Sequence, residues 1–121
     1  MDNNINIMIN GQRYGMILNG NVTATDLDQH LPLDLDFQSN GEAYYASLPV
    51  ALTNADTDHT HHLLDNKLYY GIVSHRLIFQ LKDVDGADDY IEIGHFKDTE
   101  LTTVLKAAPE HLLLTVARDD E

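Results

Sequence analysis

Short segments in which apolar and polar residues alternate with a period of two make up most of this chain. In the first of them, Ile5, Ile7 and Ile9 alternate with asparagine and methionine, and in segment 33–37 leucine and phenylalanine alternate with aspartate. Such alternation is typical of β-strands that bury one face and expose the other. Because the strands do not alternate regularly with helices, the pattern favours an antiparallel barrel or sandwich over a doubly wound sheet.

Turn and cap signals separate the strands and predict two short helices. Asn10-Gly11 divides the first two strands and is the strongest short signal for a hairpin, because both central residues of a type I′ turn need a positive φ. The sequence predicts a first helix over 24–30, with Thr25 as its N-cap. Leu101 and Leu105 lie at helical spacing and predict the apolar face of a second helix.

Two polar segments complete the interpretation of the chain. Segment 54–65 has no clear periodicity and is predicted to be a loop, and segment 83–86 is predicted to be a turn. The total is seven or eight short strands and two short helices, without internal repeats or a linker. The sequence therefore predicts one mainly β domain over residues 1–121, closed into an antiparallel barrel because closure removes apolar strand edges.

Composition excludes several classes of function. With 20 acidic and 7 basic residues, the formal net charge of -13 would repel nucleic acids and anionic membranes. The lack of cysteine excludes thiolate catalysis, thiolate metal sites and disulfides. No secretory signal and no apolar stretch of about 20 residues is present. We expect a cytoplasmic protein that uses no cofactor and contacts neither nucleic acid nor membrane.

Several short motifs follow one another in a recognisable order. After the opening hairpin and the first helix come three segments: Leu31-Pro32-Leu33, Tyr45-Ala46-Ser47-Leu48-Pro49 and Leu68-Tyr69-Tyr70-Gly71; Ile93-Gly94 then ends a later strand. In this order the chain resembles the bacterial cyclophilin-like proteins, small barrels largely of unassigned function. The resemblance spans residues 5–116 and implies a closed cyclophilin-type barrel of about eight antiparallel strands with two helices.

The resemblance does not extend to the isomerase residues of true cyclophilins. Those enzymes use an arginine in a Phe-His-Arg segment, followed by a Gln-Gly-Gly-Asp run and a Phe-Phe-Ile strand. Here Ser74 stands before His75-Arg76, and neither of the later motifs is present. The sequence therefore assigns no catalytic residue and favours a non-enzymatic protein over a peptidyl-prolyl isomerase.

Tyrosines and one arginine are the candidate ligand-binding residues. Tyrosine pairs on strands place one ring inward and its neighbour outward, and an outward ring can line a binding face because its hydroxyl tolerates water. Arg76 could attract a carboxylate or another anion against the negative field of the molecule. Core packing for the tyrosines and an ion pair with a surface aspartate for Arg76 are the alternatives. The candidate groove residues are Tyr45, Tyr69, Tyr70 and Arg76.

Histidines in segment 54–65 offer a weaker alternative site. Imidazole and carboxylate groups together suit zinc, nickel or copper, and Asp58, His59, His61 and His62 lie within five residues. A loop lacks the rigid support that a metal site needs. Solvent-exposed histidines without a metal are therefore the favoured interpretation.

Three functions remain open at this point. The leading one is a non-enzymatic module that binds a small molecule, peptide or protein partner in a groove on the barrel wall. The second is a weak peptidyl-prolyl isomerase or another enzyme working at the same groove. The third is a structural role as a homodimer or as a subunit of a larger complex.

Overall fold

A computed structural model describes residues 4–9, 11–54, 57–98 and 100–118. These residues form nine strands and two helices, which in chain order are β1 (Asn4–Ile9), β2 (Gln12–Leu18), α1 (Val22–Gln29), β3 (Leu33–Ser39), β4 (Ala43–Ser47), β5 (Thr60–Leu63), β6 (Lys67–Gly71), β7 (Arg76–Gln80), β8 (Val84–Phe96), α2 (Glu100–Ala107) and β9 (His111–Arg118).

Eight of the strands close into a ring. The order is β2-β1-β9-β3-β4-β7-β6-β8, every neighbouring pair is antiparallel, and β8 returns to β2 to complete the barrel. The ninth strand, β5, pairs only with β8 among the described strands and lies outside the ring. The predicted closed antiparallel barrel of about eight strands with two short helices is confirmed.

The barrel interior is filled by one apolar cluster. Alternate residues of every strand in the ring point into it, as the period-two pattern predicts. Phe37 stacks on Phe79 with ring centroids 4.7 Å apart, and Phe96 meets Phe79 edge-on. Each helix adds to the same cluster, α1 through Ala24 and Leu27 and α2 through Leu101 and Leu105. The helices therefore help to fill the apolar interior of the barrel.

The first helix begins earlier than predicted. Asn21 is its N-cap, and the Asn21 side chain accepts a hydrogen bond from the Ala24 N–H at 2.8 Å. The prediction that Thr25 caps the helix is wrong, because Thr25 lies inside the helix. An N-cap asparagine meets the same need as a threonine, and the Asn19-Gly20-Asn21 turn supplies it.

Two predictions about polar segments are also wrong. Segment 54–65 contains strand β5, and segment 83–86 is not a turn because β8 begins at Val84 and runs for 13 residues. Both strands carry many polar side chains on a two-stranded extension with much solvent contact, so their hydrophobic period is weak. Asn10 of the predicted hairpin turn lies outside the described residues, but the two strands that it joins pair as expected.

None of the helices in the described part of the chain is long and apolar enough to span a membrane. The domain boundaries of 1–121 and a cytoplasmic location remain predictions.

Candidate functional site

The outer wall of the barrel carries a second, smaller apolar cluster. On β4, β7 and β6 the residues that do not face the interior point outward, and Tyr45, Ile78 and Tyr69 stand opposite one another in neighbouring strands. Ala43 joins them on the same face. Apolar groups on the outside of a barrel need a cover.

The cover is a two-stranded ribbon that consists of β5 and the first half of β8, residues 84–90. Leu63 of β5 stands opposite Val84 of β8, and both pack against the outer cluster. From Tyr90 onward β8 pairs with β6 and becomes part of the barrel wall. One strand therefore belongs to the ribbon and to the barrel.

A groove of about 210 Å³ lies between this ribbon and the barrel wall. Its floor comes from β4 and β7, and its other side comes from the ribbon and from Ser74. The polar and aromatic residues that line it include Glu42, Tyr45, Arg76, Gln80, Asp85 and Tyr90. The volume corresponds to about seven water molecules at ~30 Å³ each, which suits a small organic ligand.

Arg76 projects outward near the start of β7. Its guanidinium carbon lies 4.7 Å from the centroid of the Tyr45 ring, a cation–π contact. None of the described carboxylates forms an ion pair with it, whereas Arg118 and Lys67 each have a carboxylate partner. Arg76 is therefore a cation held in the groove and open to an anion.

Gln80 occupies the opposite end of the same strand and is 1% exposed. Its Nε2 donates to the Lys82 carbonyl at 2.6 Å, which fixes the orientation of the amide, because the reversed amide would set two oxygens against each other. Its Oε1 is buried and accepts no hydrogen bond from any of the described residues. A buried acceptor without a donor costs about 1–3 kcal/mol.

Acidic side chains lie toward the Gln80 end of the groove. Glu42 is half-buried beside Ala43, the residue that pairs with Gln80. Asp85 is exposed at the start of the ribbon, where the His62 Nδ1 lies 2.6 Å from its carboxylate. Among the residues that line the groove, Glu42 therefore lies toward Gln80 and Arg76 toward the other end of β7, while Lys67 stands opposite Gln80 on β6.

Asp88 fastens the ribbon to the turn between β6 and β7. Its carboxylate accepts hydrogen bonds from the N–H groups of Val73 and Ser74 and from the Ser74 hydroxyl, at 2.9–3.2 Å. Burial alone would raise the pKa of Asp88, but these hydrogen bonds together with the Asp89 N–H hold that pKa below its usual value. The Ser74 hydroxyl is thereby committed to Asp88.

The four predicted groove residues divide into two groups. Tyr45 and Arg76 line the groove together. Tyr69 lies beneath the ribbon, 1% exposed, where its hydroxyl accepts from the Leu64 N–H and burial raises its pKa. Tyr70 faces the barrel interior and its hydroxyl accepts from the Leu52 N–H, so it does not belong to the groove.

The histidine alternative finds no converging ligands in the described part of the chain, where no group of three potential metal-ligating side chains occurs. His61 contacts the Asp88 carbonyl and the Asp89 carboxylate. His62 instead contacts Asp85. His61 and His62 therefore contact different side chains of β8. Asp58, His59 and His62 all line a separate depression beside Tyr69.

Four of the groove residues named above were not predicted from the sequence, namely Glu42, Gln80, Asp85 and Tyr90. Gln80 could have been found, because it follows Arg76 and Ile78 at the i, i+2, i+4 spacing of one strand face. Asp85 and Tyr90 could not, because the strand that carries them was interpreted as a turn followed by a short separate strand. Gly86 matters here as well: a Cβ at this position would lie 2.4 Å from the Tyr90 ring, so the ring rests on the ribbon backbone.

Comparison with known proteins identifies the family. The model of the Cyclophilin-like family matches residues 7–117 of this sequence, nearly the whole chain. The chain belongs to the cyclophilin-like family. No curated protein matches this cyclophilin-like sequence.

A solved structure shares the cyclophilin-like fold. The hypothetical protein AF2241 from Archaeoglobus fulgidus superposes with a TM-score of 0.72, covering 97% of this chain and 95% of its own at 15% identity. At that identity the likeness shows the fold alone. The expected cyclophilin-like resemblance is confirmed, whereas a bacterial origin remains a prediction.

Proposed function

We propose that this cyclophilin-like protein is a non-enzymatic module that binds a small organic molecule with an anionic group in the groove beneath the ribbon. The observation that carries the proposal is that one groove is lined both by Arg76, which has no carboxylate partner among the described residues, and by Gln80, whose buried Oε1 has no donor among them. Most buried carbonyl oxygens accept a hydrogen bond, since an unmade one is costly, and a ligand N–H group could supply the donor here.

Arg76 supplies the anion contact. A guanidinium can hold a carboxylate through two parallel hydrogen bonds. The Tyr45 ring beneath it supports its position, and Ile78 with Val84 offers apolar surface to the middle of the ligand. A concave, partly apolar site with a few polar groups is the usual form of a small-molecule site.

The test is a screen of small organic carboxylates by ¹H–¹⁵N NMR. A ligand should shift the amide resonances of Tyr45, Ile78 and Tyr90. Arg76→Gln should weaken its binding about tenfold or more, because a charge-assisted pair is lost. Arg13→Gln, which removes an exposed arginine on β2 outside the groove, should leave the affinity unchanged.

Binding that is equally strong in Arg76→Gln, or shifts confined to other surfaces, would contradict the proposal. Acceleration of prolyl isomerisation that is lost in Arg76→Gln would support the enzymatic alternative instead.

A further inference from the structure

We infer that the ligand is a short zwitterion, a free amino acid or a dipeptide, bound with its carboxylate at Arg76 and its ammonium group at the Gln80 end. This inference rests on the proposed function and adds the chemical class of the ligand.

The first support is the acceptor character of the Gln80 end. Gln80 Oε1 can only accept; the residue lines the groove, and this atom is buried without a donor among the described residues. The half-buried Glu42 carboxylate lines the same end and can also only accept. An ammonium group is a cation with three N–H donors, so it can satisfy Gln80 Oε1 and approach a carboxylate at the same time.

The second support is the distance between the two ends. Arg76 and Gln80 are four residues apart on one strand, so their Cα atoms are about 13 Å apart. The Arg76 side chain leans over Tyr45, which lies opposite the intervening Ile78, and this shortens the remaining gap. A volume of about 210 Å³ then has room for a free amino acid or a dipeptide.

The third support is the field of the whole molecule. A net charge of -13 repels an anionic ligand as it approaches. A zwitterion carries no net charge and avoids that repulsion, while its two charged ends match the two ends of the groove. An orientation with the ends exchanged would place a carboxylate beside Glu42 and Asp85.

The experiment uses NMR titration with L-alanyl-L-alanine, glycylglycine and L-leucine. Each result is compared with L-alanyl-L-alanine amide, which lacks the carboxylate, and with N-acetyl-L-alanyl-L-alanine, which lacks the ammonium. At least one zwitterion should bind with shifts at Tyr45, Ile78 and Gln80. Each blocked dipeptide should bind about tenfold or more weakly than the free dipeptide, because each loses one charge-assisted contact.

Variants assign the two ends. Arg76→Gln should bind the free and amidated dipeptides with equal affinity, because the carboxylate no longer has its partner. Gln80→Met removes the acceptor at similar volume and should weaken free dipeptide about tenfold. If Gln80→Met lowers stability, Glu42→Gln tests the same end of the groove instead, because Glu42 is not fully buried. Arg13→Gln is the control and should preserve every difference.

Failure of the two hypotheses can be told apart. If the zwitterions do not bind but carboxylates without an amino group bind in an Arg76-dependent way, the zwitterion inference is overturned and the proposed function stands. If neither class shifts a groove resonance, both are overturned. Equal affinity for the free and acetylated dipeptides also rejects the inference.

Discussion

Gly94 sets how closely β2 and β8 approach each other where the barrel closes. It pairs with Leu18 of β2 and with Leu68 of β6. A Cβ on Gly94 would lie 2.4 Å from the carbonyl oxygen of Ile17, a backbone atom that cannot rotate away. No side chain therefore fits at this position without moving one strand.

Gly94→Ala should lower the free energy of unfolding by about 2–3 kcal/mol, because overpacking against backbone separates β2 from β8. Gly15→Ala is the matched control on β2. Its Cβ would meet the flexible Lys97 side chain at 3.2 Å, so its effect should stay within about 0.5 kcal/mol. Urea denaturation of both variants provides the measurement, and similar losses in the two would contradict this account of barrel closure.

Single residues also show where sequence reasoning reached its limit. Tyr45 and Arg76 were predicted for the groove, and both line it. Tyr69-Tyr70 is an adjacent pair, and a period of two sends only one of them outward, so both could not share a groove. Whether Gln80 Oε1 receives a hydrogen bond depends on residues that are distant in sequence. No local sequence pattern could therefore predict that this atom lacks a donor among the described residues.

At the scale of elements, one carboxylate connects the ribbon with the β6–β7 turn. Asp88 on β8 accepts hydrogen bonds from Val73 and Ser74 of that turn. The pKa of Asp88 is lowered in the folded protein, so folding favours its ionised form. Its contribution to stability is present above the unfolded pKa, near 3.8–3.9, and is lost as pH falls through the folded value.

Asp88→Asn should lower the free energy of unfolding at pH 7 by about 1–2 kcal/mol, because hydrogen bonds to a charged acceptor are lost. The difference between variant and wild type should shrink as the pH falls from the unfolded pKa through the lower folded pKa, because Asp88 becomes protonated in both states of the wild type only below the folded value. Urea titrations across this range measure the change. Asp36→Asn, on the exposed face of β3, should show little effect, and a pH-independent difference for Asp88→Asn would contradict the linkage.

The elements that were missed share a physical cause. Each strand of the ring buries one full face. The alternation of apolar and polar residues along these strands is therefore strong, and it allowed them to be predicted. The ribbon covers only a small cluster, through Leu63 and Val84, and its other positions are largely polar. Because few residues of the ribbon strands are buried, the alternation of apolar and polar residues along them is weak.

At the scale of the whole molecule, excess negative charge opposes compactness. Only two Lys or Arg ion pairs form among the described residues, Lys67–Glu92 and Arg118–Asp28, and each is partly exposed. Exposed pairs contribute about 0–1 kcal/mol each. Repulsion within a chain of net charge -13 therefore outweighs these pairs.

Added salt should consequently stabilise the protein. Raising NaCl from about 0.01 M to about 1 M shortens the screening length from ~30 Å to ~3 Å. We expect Tm to rise by about 4 °C or more, as a gain near 1 kcal/mol would produce. Differential scanning calorimetry measures the shift. KCl should act equally, and a Tm that falls with either salt would show that attractive pairs dominate.

The ring of eight strands forms the barrel, whereas the ribbon covers its outer cluster. This difference has a consequence for protein engineering. β5 supplies one edge of the groove but takes no part in the ring of eight strands. Leu63 is the β5 residue that lines the groove, so substitutions at Leu63 would reshape the groove while the strand pairings of the ring stay intact. New ligand selectivity could therefore be introduced at this strand, while the ring of eight strands maintains the fold.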